Sequence, residues 1–237
     1  MTVARVADAV VLDIEGTTAP IAFVHQVLFP YAAAELDRFV AAHGGEPEVA
    51  AALAALAAER AADREVTAPD LLAYARALMA IDRKSTGLKA LQGLIWRAGY
   101  FAGALRAAMY DDVAPALAAW AAAGVTLASY SSGSVQAQRL LYRHADAGDL
   151  EPRFAAWFDT TTGPKRAPAS YATIAAALAV APARVVFVSD VVDELAAASA
   201  VGMIGVLSVR DGNAPVAPGH GFPVVTTLAE LVVTRGG

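Results

Sequence analysis

Residues 9–18 read Ala9-Val10-Val11-Leu12-Asp13-Ile14-Glu15-Gly16-Thr17-Thr18 (AVVLDIEGTT). The stretch predicts a short strand over Ala9–Asp13, apolar on both faces as parallel strands are. It runs directly into a turn that carries two carboxylates. The chain then changes character. Between Thr18 and Asp111 no strand-like alternation occurs. Apolar residues recur at helical spacing over Ile21–Ala42, interrupted by Pro30, and over Pro47–Arg64. Two more helices are predicted over Pro69–Ala80, with Pro69 in the first turn, and over Ser85–Gly99.

After Asp111 the pattern alternates. A helix over Pro115–Ala123 stops at Gly124, and VTLASY (Val125–Tyr130) predicts a strand. Val135–His144 predicts a helix, and a short apolar piece lies around Phe154–Phe158. A helix over Ser170–Leu178 precedes a strand over Arg184–Ser189, which ends at Asp190. Glu194–Val201 is then a helix, Ile204–Val209 a strand, Pro223–Val225 a last short strand, and Leu228–Val233 a terminal helix. Strands alternating with helices predict an α/β fold with a parallel sheet covered on both faces. The helical block is an insertion directly after the first strand. The expected division is 1–18 with 112–237 as the core and 19–111 as the inserted helical domain.

Composition narrows the classes. The chain has 237 residues, 57% hydrophobic and 17% charged, which excludes a disordered chain. No window of about 18 uncharged, strongly apolar residues marks a membrane-spanning helix. Asp8, Asp13 and Glu15 stand where a signal peptide would need an apolar run, so no targeting segment is expected. The absence of cysteine excludes a disulfide scaffold, a thiolate metal site and a Cys nucleophile, and fits a reducing cytoplasm. A net charge of −5 leaves no basic footprint for nucleic acid. Arginine outnumbers lysine so strongly that Lys84, Lys89 and Lys165 are the only lysines. A lysine kept against that bias has a raised expectation of a role needing a compact point charge.

Ligands of open parallel sheets bind beyond the carboxyl ends of the strands. Those ends carry Asp13 and Glu15, then Ser131-Ser132-Gly133-Ser134, then Asp190, with Lys165 in the segment between the last two. Carboxylates from two strand ends form a hard-oxygen site suited to Mg²⁺, which keeps waters and takes phosphate oxygens. Backbone N–H groups at the start of the helix after the serine turn, with a serine hydroxyl, suit a phosphate. Lys165 would neutralise phosphoryl oxygens. A carboxylate held beside a metal attacks phosphorus and forms an aspartyl phosphate. Glu15 would protonate the leaving oxygen and later deprotonate the attacking water. Asp193 and Glu194 lie in a first helical turn, which the helix dipole alone explains. The tail Arg210–Pro223 (RDGNAPVAPGHGFP) reads as a surface loop.

In this order and spacing the chain resembles the haloacid-dehalogenase-like phosphotransferases. The stretches DIEGTTAPIAFVHQVLFPYA (13–32), DRKSTGLKALQGLIW (82–96), YSSGSVQAQRLLYRH (130–144), GDLEPRFAAWFDTTTGPKRAPASY (148–171) and FVSDVVDELAAA (187–198) resemble the enolase-phosphatase, or acireductone synthase, family. The resemblance runs from about Val10 to Leu231. It implies a Rossmann-like doubly wound core with an all-helical cap domain. It implies Asp13 as nucleophile and Mg²⁺ ligand, Asp190 as the remaining metal carboxylate, and Ser131, Ser132 and Lys165 on the substrate phosphate. Glu15 stands where most of the superfamily has a second aspartate; it is implied as acid/base and, through its backbone carbonyl, at the metal site. The implied substrate is 2,3-diketo-5-methylthiopentyl-1-phosphate, enolised and then dephosphorylated in methionine salvage, and the implied state is a monomer. The extra methylene of Glu15 moves its carboxyl by about 1.5 Å, which would let one residue serve both enolisation and ester cleavage.

Within the helical domain, Phe23, Lys84, Lys89, Trp96 and Tyr100 are the candidates for approaching substrate, although the three aromatics suit the domain's own core better. A lid hinged near Thr18–Ala19 and Tyr110–Val113 would admit one water and exclude others. His25, His43, His144 and His220 stand at no metal-ligand spacing and are assigned no catalysis. Two other readings stand beside this one: a capped phosphatase for another small phosphate ester, and a receiver-like module that holds phosphate on aspartate without turnover.

Overall fold

A computed structural model describes residues 2–81, 83 and 85–236; Lys84 lies outside the described residues. The chain divides into two compact units, Met1–Ala22 with Arg106–Gly237, and Phe23–Leu105. In chain order, β1 (Val3–Val6) and β2 (Ala9–Leu12) are followed by a single helical turn, α1 (Ile21–Phe23). A π-turn over Val24–Leu28 leads into α2 (Phe29–His43), then α3 (Pro47–Ala62), α4 (Leu71–Ala80) and α5 (Thr86–Phe101). There follow α6 (Val113–Ala122), β3 (Thr126–Tyr130), α7 (Val135–Arg143), β4 (Ala156–Phe158), α8 (Pro168–Leu178), β5 (Val185–Ser189), α9 (Val192–Ala200), β6 (Ile204–Ser208), β7 (Val224–Val225) and β8 (Leu231–Thr234).

Among the described residues the strands make a six-stranded sheet ordered β4-β3-β2-β5-β6-β7 and a two-stranded one, β1-β8. Every pairing is parallel. Residues 9–12 of β2, the central strand, are fully buried, as its sequence predicts. From β2 the chain moves to one side through β3 and β4. It then crosses back to β5 on the other side and continues outward to β6. The reversal lies between β2 and β5, the crevice where ligands of such sheets bind. The sheet buries Val11, Tyr130, Phe187 and Leu207 against Tyr171, Ile174, Leu195 and Ala198 of α8 and α9.

The helical unit has a core of its own, built from Ala32 and Leu36 of α2, Ala52 and Leu56 of α3, Leu78 of α4 and Leu91 and Ile95 of α5. α3 and α5 approach so closely that a Cβ on Gly87 would collide with the backbone of Leu56. Phe23 and Tyr100 are buried. Trp96 stacks parallel to Phe29 and donates from Nε1 to the Leu28 carbonyl at 2.8 Å. Lys89 and His25 are exposed.

Three expectations need correction. Pro69 precedes helix α4 rather than opening it: Asp70 is the N-cap, its carboxylate accepting from Ala73 N–H, because a short carboxylate satisfies an otherwise orphaned donor. Pro30 does not interrupt the helix. The turn before it widens, with Phe29 N–H bonded to the carbonyl of Val24, which absorbs the missing proline donor. The terminal helix over Leu228–Val233 is a single 3₁₀ turn, Leu228–Glu230, followed by β8. Leu231 and Val233 are buried while Val232 is 45% exposed, the period of a strand, and Trp120 Nε1 ties the segment down at the Leu231 carbonyl.

Candidate active site

The carboxyl ends of β2, β3, β5 and β6 open on one edge of the sheet, and Asp13 sits at the centre of it. Its N–H extends the ladder to Val188 of β5 at 3.0 Å, and the residue is only 5% exposed. The chain then turns tightly. Thr17, Thr18 and Ala19 N–H groups all converge on the Ile14 carbonyl at 2.9–3.1 Å, and Gly16 N–H reaches the Ala19 carbonyl. Gly16 takes φ +71°, and a Cβ there would lie 2.5 Å from Asp190 Oδ2, so only glycine lets the turn pass beneath that carboxylate. Glu15 is the exposed side chain of an otherwise buried turn.

Lys165 arrives from the segment before α8. Its backbone is held by Tyr171, whose hydroxyl donates to the Lys165 carbonyl at 2.6 Å, and by Tyr130 on the carbonyl of Gly163 at 2.9 Å. Its Nζ stands 2.7 Å from Asp13 Oδ1 and 2.7 Å from Glu194 Oε2. Burial depresses the ammonium's pKa, but the two carboxylates outweigh it and hold the pKa above the ordinary lysine value. Ser189, wholly buried at the end of β5, donates to Glu194 Oε2 at 2.9 Å. Burial and then the nearby Asp13 charge push the Asp190 carboxyl up to about 7, against the pull of Lys165. The same two causes, in the same order, raise Glu194.

The serine turn differs from the expected arrangement. Gly133 N–H is bonded to Ser131 Oγ, Val135 N–H to Asp159 Oδ2 and Ala137 N–H to Ser134 Oγ, so these amides at the start of α7 are already engaged. The turn also carries hydroxyls: Ser131 Oγ accepts from Gly133 and retains its own proton to donate, and Ser132 is exposed.

Thus Asp13, Lys165, Ser131 and Asp190 converge at one edge of the sheet, with Glu15 beside them. Three contributors escape a reading of local sequence. Glu194 is no mere dipole partner: it shares Lys165 with Asp13. Arg210 and Asn213 come from the tail read as a surface loop, yet Arg210 is 6% exposed and both side chains bind carbonyls of the turn after Asp13. A signal was available in RDGN, a charged residue and an amide just past a strand end on the binding edge.

A buried carboxylate beside a buried lysine at the reversal of a parallel α/β sheet is the frame of a phosphate-cleaving hydrolase, and the chain belongs to the haloacid dehalogenase-like hydrolase family, whose profile matches residues 7–202. Within that family it is an enzyme of the enolase-phosphatase E1 group, a phosphatase. Enolase-phosphatase E1 of Sorangium cellulosum is 52% identical over 88% of this chain and 90% of the relative. That of Synechococcus elongatus is 50% identical over 86% and 90%, and that of Pseudomonas aeruginosa (strain UCBPP-PA14) 48% identical over 95% and 98%. The crystal structure of the UTR4 protein of Saccharomyces cerevisiae is similar with TM-score 0.78 and 33% identity, over 93% of this chain and 98% of that one. A dehalogenase, 20% identical over 96% of each chain with TM-score 0.57, shares the fold alone. An enzyme family leaves no place for the non-catalytic receiver reading.

Proposed function

We propose that the chain converts 2,3-diketo-5-methylthiopentyl-1-phosphate, through its enol phosphate, to the acireductone 1,2-dihydroxy-3-keto-5-methylthiopentene, as a step of methionine salvage. Beside the named relatives, the observation that carries this reading is the 2.7 Å contact of Lys165 Nζ with Asp13 Oδ1. It holds the buried Asp13 carboxylate at the edge of the sheet where a phosphoryl group would arrive.

In the phosphatase half, an Asp13 carboxylate oxygen bonds to phosphorus as the phosphorus–oxygen bond to the enol breaks. Glu15 supplies the proton to that leaving oxygen. Glu15 then takes a proton from the water that attacks the phosphoaspartate, releasing inorganic phosphate and restoring Asp13. Lys165 and the hydroxyls of Ser131 and Ser132 bind the phosphoryl oxygens. In the enolase half, Glu15, one methylene longer than aspartate, takes the proton from carbon as the adjacent carbonyl oxygen gains one from solvent, giving the enol phosphate before the ester is cut; the carboxylic acid so formed is the one that then protonates the leaving oxygen.

The residues suit Mg²⁺. Among the described residues no cluster of three or more His, Asp or Glu side chains is arranged for a metal. Mg²⁺, however, needs only one or two carboxylates and fills its shell with waters and phosphate oxygens. Asp13 and Asp190 would hold it, with the Glu15 carbonyl. Bound there, Mg²⁺ supplies charge neutralisation of the phosphoryl oxygens. Phe23–Leu105 is read as the cap domain, the chain as a monomer, and the absence of cysteine as suited to a cytoplasmic enzyme. No described helix is long and apolar enough to cross a membrane.

The test is a time course with the diketo phosphate and Mg²⁺, following enol absorbance and phosphate release together, beside Asp13→Asn. Enol rising ahead of phosphate, and no phosphate from the variant, is the expected outcome. Hydrolysis of a generic phosphate ester without either signal would move the substrate elsewhere while leaving the chemistry standing. Glu15→Asp is expected to slow enolisation; both rates at the wild-type level would remove the second role of Glu15.

A further inference from the structure

Arg210 follows β6 by two residues, and its side chain is 4% exposed. A buried cation costs several kcal/mol in lost hydration, which an apolar residue would avoid. What this one binds is specific. Its Nε and Nη2 both donate to the Thr17 carbonyl, at 3.1 and 3.0 Å. Its Nη1 donates to Asp112 Oδ1 at 3.1 Å and to the Thr226 carbonyl at 3.0 Å, and Nη2 lies 2.9 Å from Asp112 Oδ2. The guanidinium plane lies 4.4 Å over the ring of Tyr110. Asp112 also accepts from Leu228 N–H. Against the opposing effect of burial, Arg210 and Leu228 hold Asp112 below the ordinary carboxylate range.

The neighbouring carbonyls of the turn are gripped as well. Asn213 Nδ2 donates to the Gly16 carbonyl at 2.9 Å, and Tyr110 N–H donates to the Thr18 carbonyl at 3.1 Å. Three successive carbonyls after Glu15 are therefore each held by a different partner, two of them from the segment after β6. Arg210 also joins the segment leaving this unit, at Thr17, to the segment returning to it, at Tyr110–Asp112.

We propose that Arg210, assisted by Asn213, is a positioning residue for the reaction: by locking the Gly16 and Thr17 carbonyls it fixes Glu15 relative to Asp13. Glu15 is carried by this turn, so a shift of the turn's backbone moves the carboxyl with it. A planar fork is required. Lysine has a point charge, three donors on one atom and no face to lay on Tyr110, so it cannot serve Thr17, Thr226 and Asp112 at once. The inference rests on the functional reading above, in which Glu15 is the acid/base.

The experiment measures kcat and KM for Arg210→Lys with the diketo phosphate and with p-nitrophenyl phosphate. Arg184→Lys serves as control. Arg184 makes a two-bond pair with Asp8, at 3.0 and 2.9 Å, ahead of β2 and β5 at the opposite end of the sheet. Arg210→Lys is expected to lower kcat on the order of 10²-fold, the cost of an ångström-scale misplacement, while KM stays within about threefold. The control is expected to keep wild-type kcat even where its urea midpoint falls equally. A folded Arg210→Lys with wild-type kcat, or with only KM raised, overturns the proposal and leaves Arg210 a tether of the tail. Should Arg210→Lys not fold, Asn213→Ala carries the test: kcat is expected to fall about tenfold, and an unchanged kcat overturns the proposal. A wild-type chain that releases no phosphate from either ester sinks both this proposal and the functional reading; an active wild type with an equally active variant sinks this one alone.

Discussion

Lys165 shows why an arginine-rich chain retains a lysine. Its slot is 9% exposed and closed by two carboxylates, each 2.7 Å from one nitrogen. A compact ammonium fits both partners, whereas a guanidinium is wider and spreads its charge over a plane. Lys165→Arg is therefore expected to fold and to lose phosphate release by at least about 10²-fold, measured at saturating substrate. Lys165→Met keeps the volume but leaves Asp13 and Glu194 as buried like charges. It is expected to cost about 3 kcal/mol in urea unfolding at neutral pH. Gly16→Ala would drive a methyl against Asp190 and Asn213 from a φ of +71°, so activity is expected to fall in a chain that still folds. Asp190 offers a titration. Folding raises its pKa from 3.8 to about 7, so the folded state binds the proton more tightly than the unfolded one. The resulting destabilisation is absent below the unfolded value, grows between the two and is complete above about 7. Without metal, Asp190→Asn is expected to be more stable than wild type by about 1–2 kcal/mol at pH 8, after allowing for solvent screening, and the gap is expected to close toward pH 4. A gap that does not change with pH would count against a raised Asp190.

The secondary-structure elements that the sequence misplaces fail for identifiable reasons. Leu231-Val232-Val233-Thr234 is too short for its period to be told from a helical turn, and what makes it a strand is pairing with Val3–Val6 at the other end of the chain. The alternation it adopts is testable: Leu231→Ala is expected to cost about 3 kcal/mol, and Val232→Ala less than about 0.5 kcal/mol, by urea midpoint. Equal losses would contradict the strand. The π-turn ahead of Pro30 is likewise invisible to a rule that proline breaks helices, since widening by one residue lets the helix continue. Helix α4 begins where Asp70 caps it, and Asp70→Ala is expected to cost about 1 kcal/mol.

Across the whole chain, each of the two units carries its own core, and the groups proposed to act on substrate phosphate belong to one of them. The order β4-β3-β2-β5-β6-β7 puts β2 between β3 and β5, so residues from Asp13 to Arg210 gather at one edge although they span most of the sequence. Cation binding there should register as global stability. With Mg²⁺ at about 100 times its dissociation constant, wild type is expected to gain about 2.7 kcal/mol in unfolding free energy. Asp190→Asn is expected to gain far less. A wild-type Tm indifferent to Mg²⁺ would argue against Asp13 and Asp190 as its ligands.

The order of chemical groups along the chain was legible without coordinates. Buried parallel strands announce themselves as continuous apolar runs, and whatever follows such a run lies on the binding edge. Asp13, Ser131 and Asp190 were found in that way, and the long helical insertion by its 3.6-residue period. The resemblance to enolase-phosphatases added the substrate, which no spacing carries. The partnerships needed the folded chain. Arg210 and the Thr17 carbonyl it grips are 193 residues apart, Ser189 reaches Glu194 only because β5 turns into α9 there, and the Val135 and Ala137 amides of α7 are bonded to Asp159 and Ser134. Local pattern reports which face of an element is buried. Which charge meets which carbonyl follows from strand order and the closing of turns, and those are properties of the packed whole.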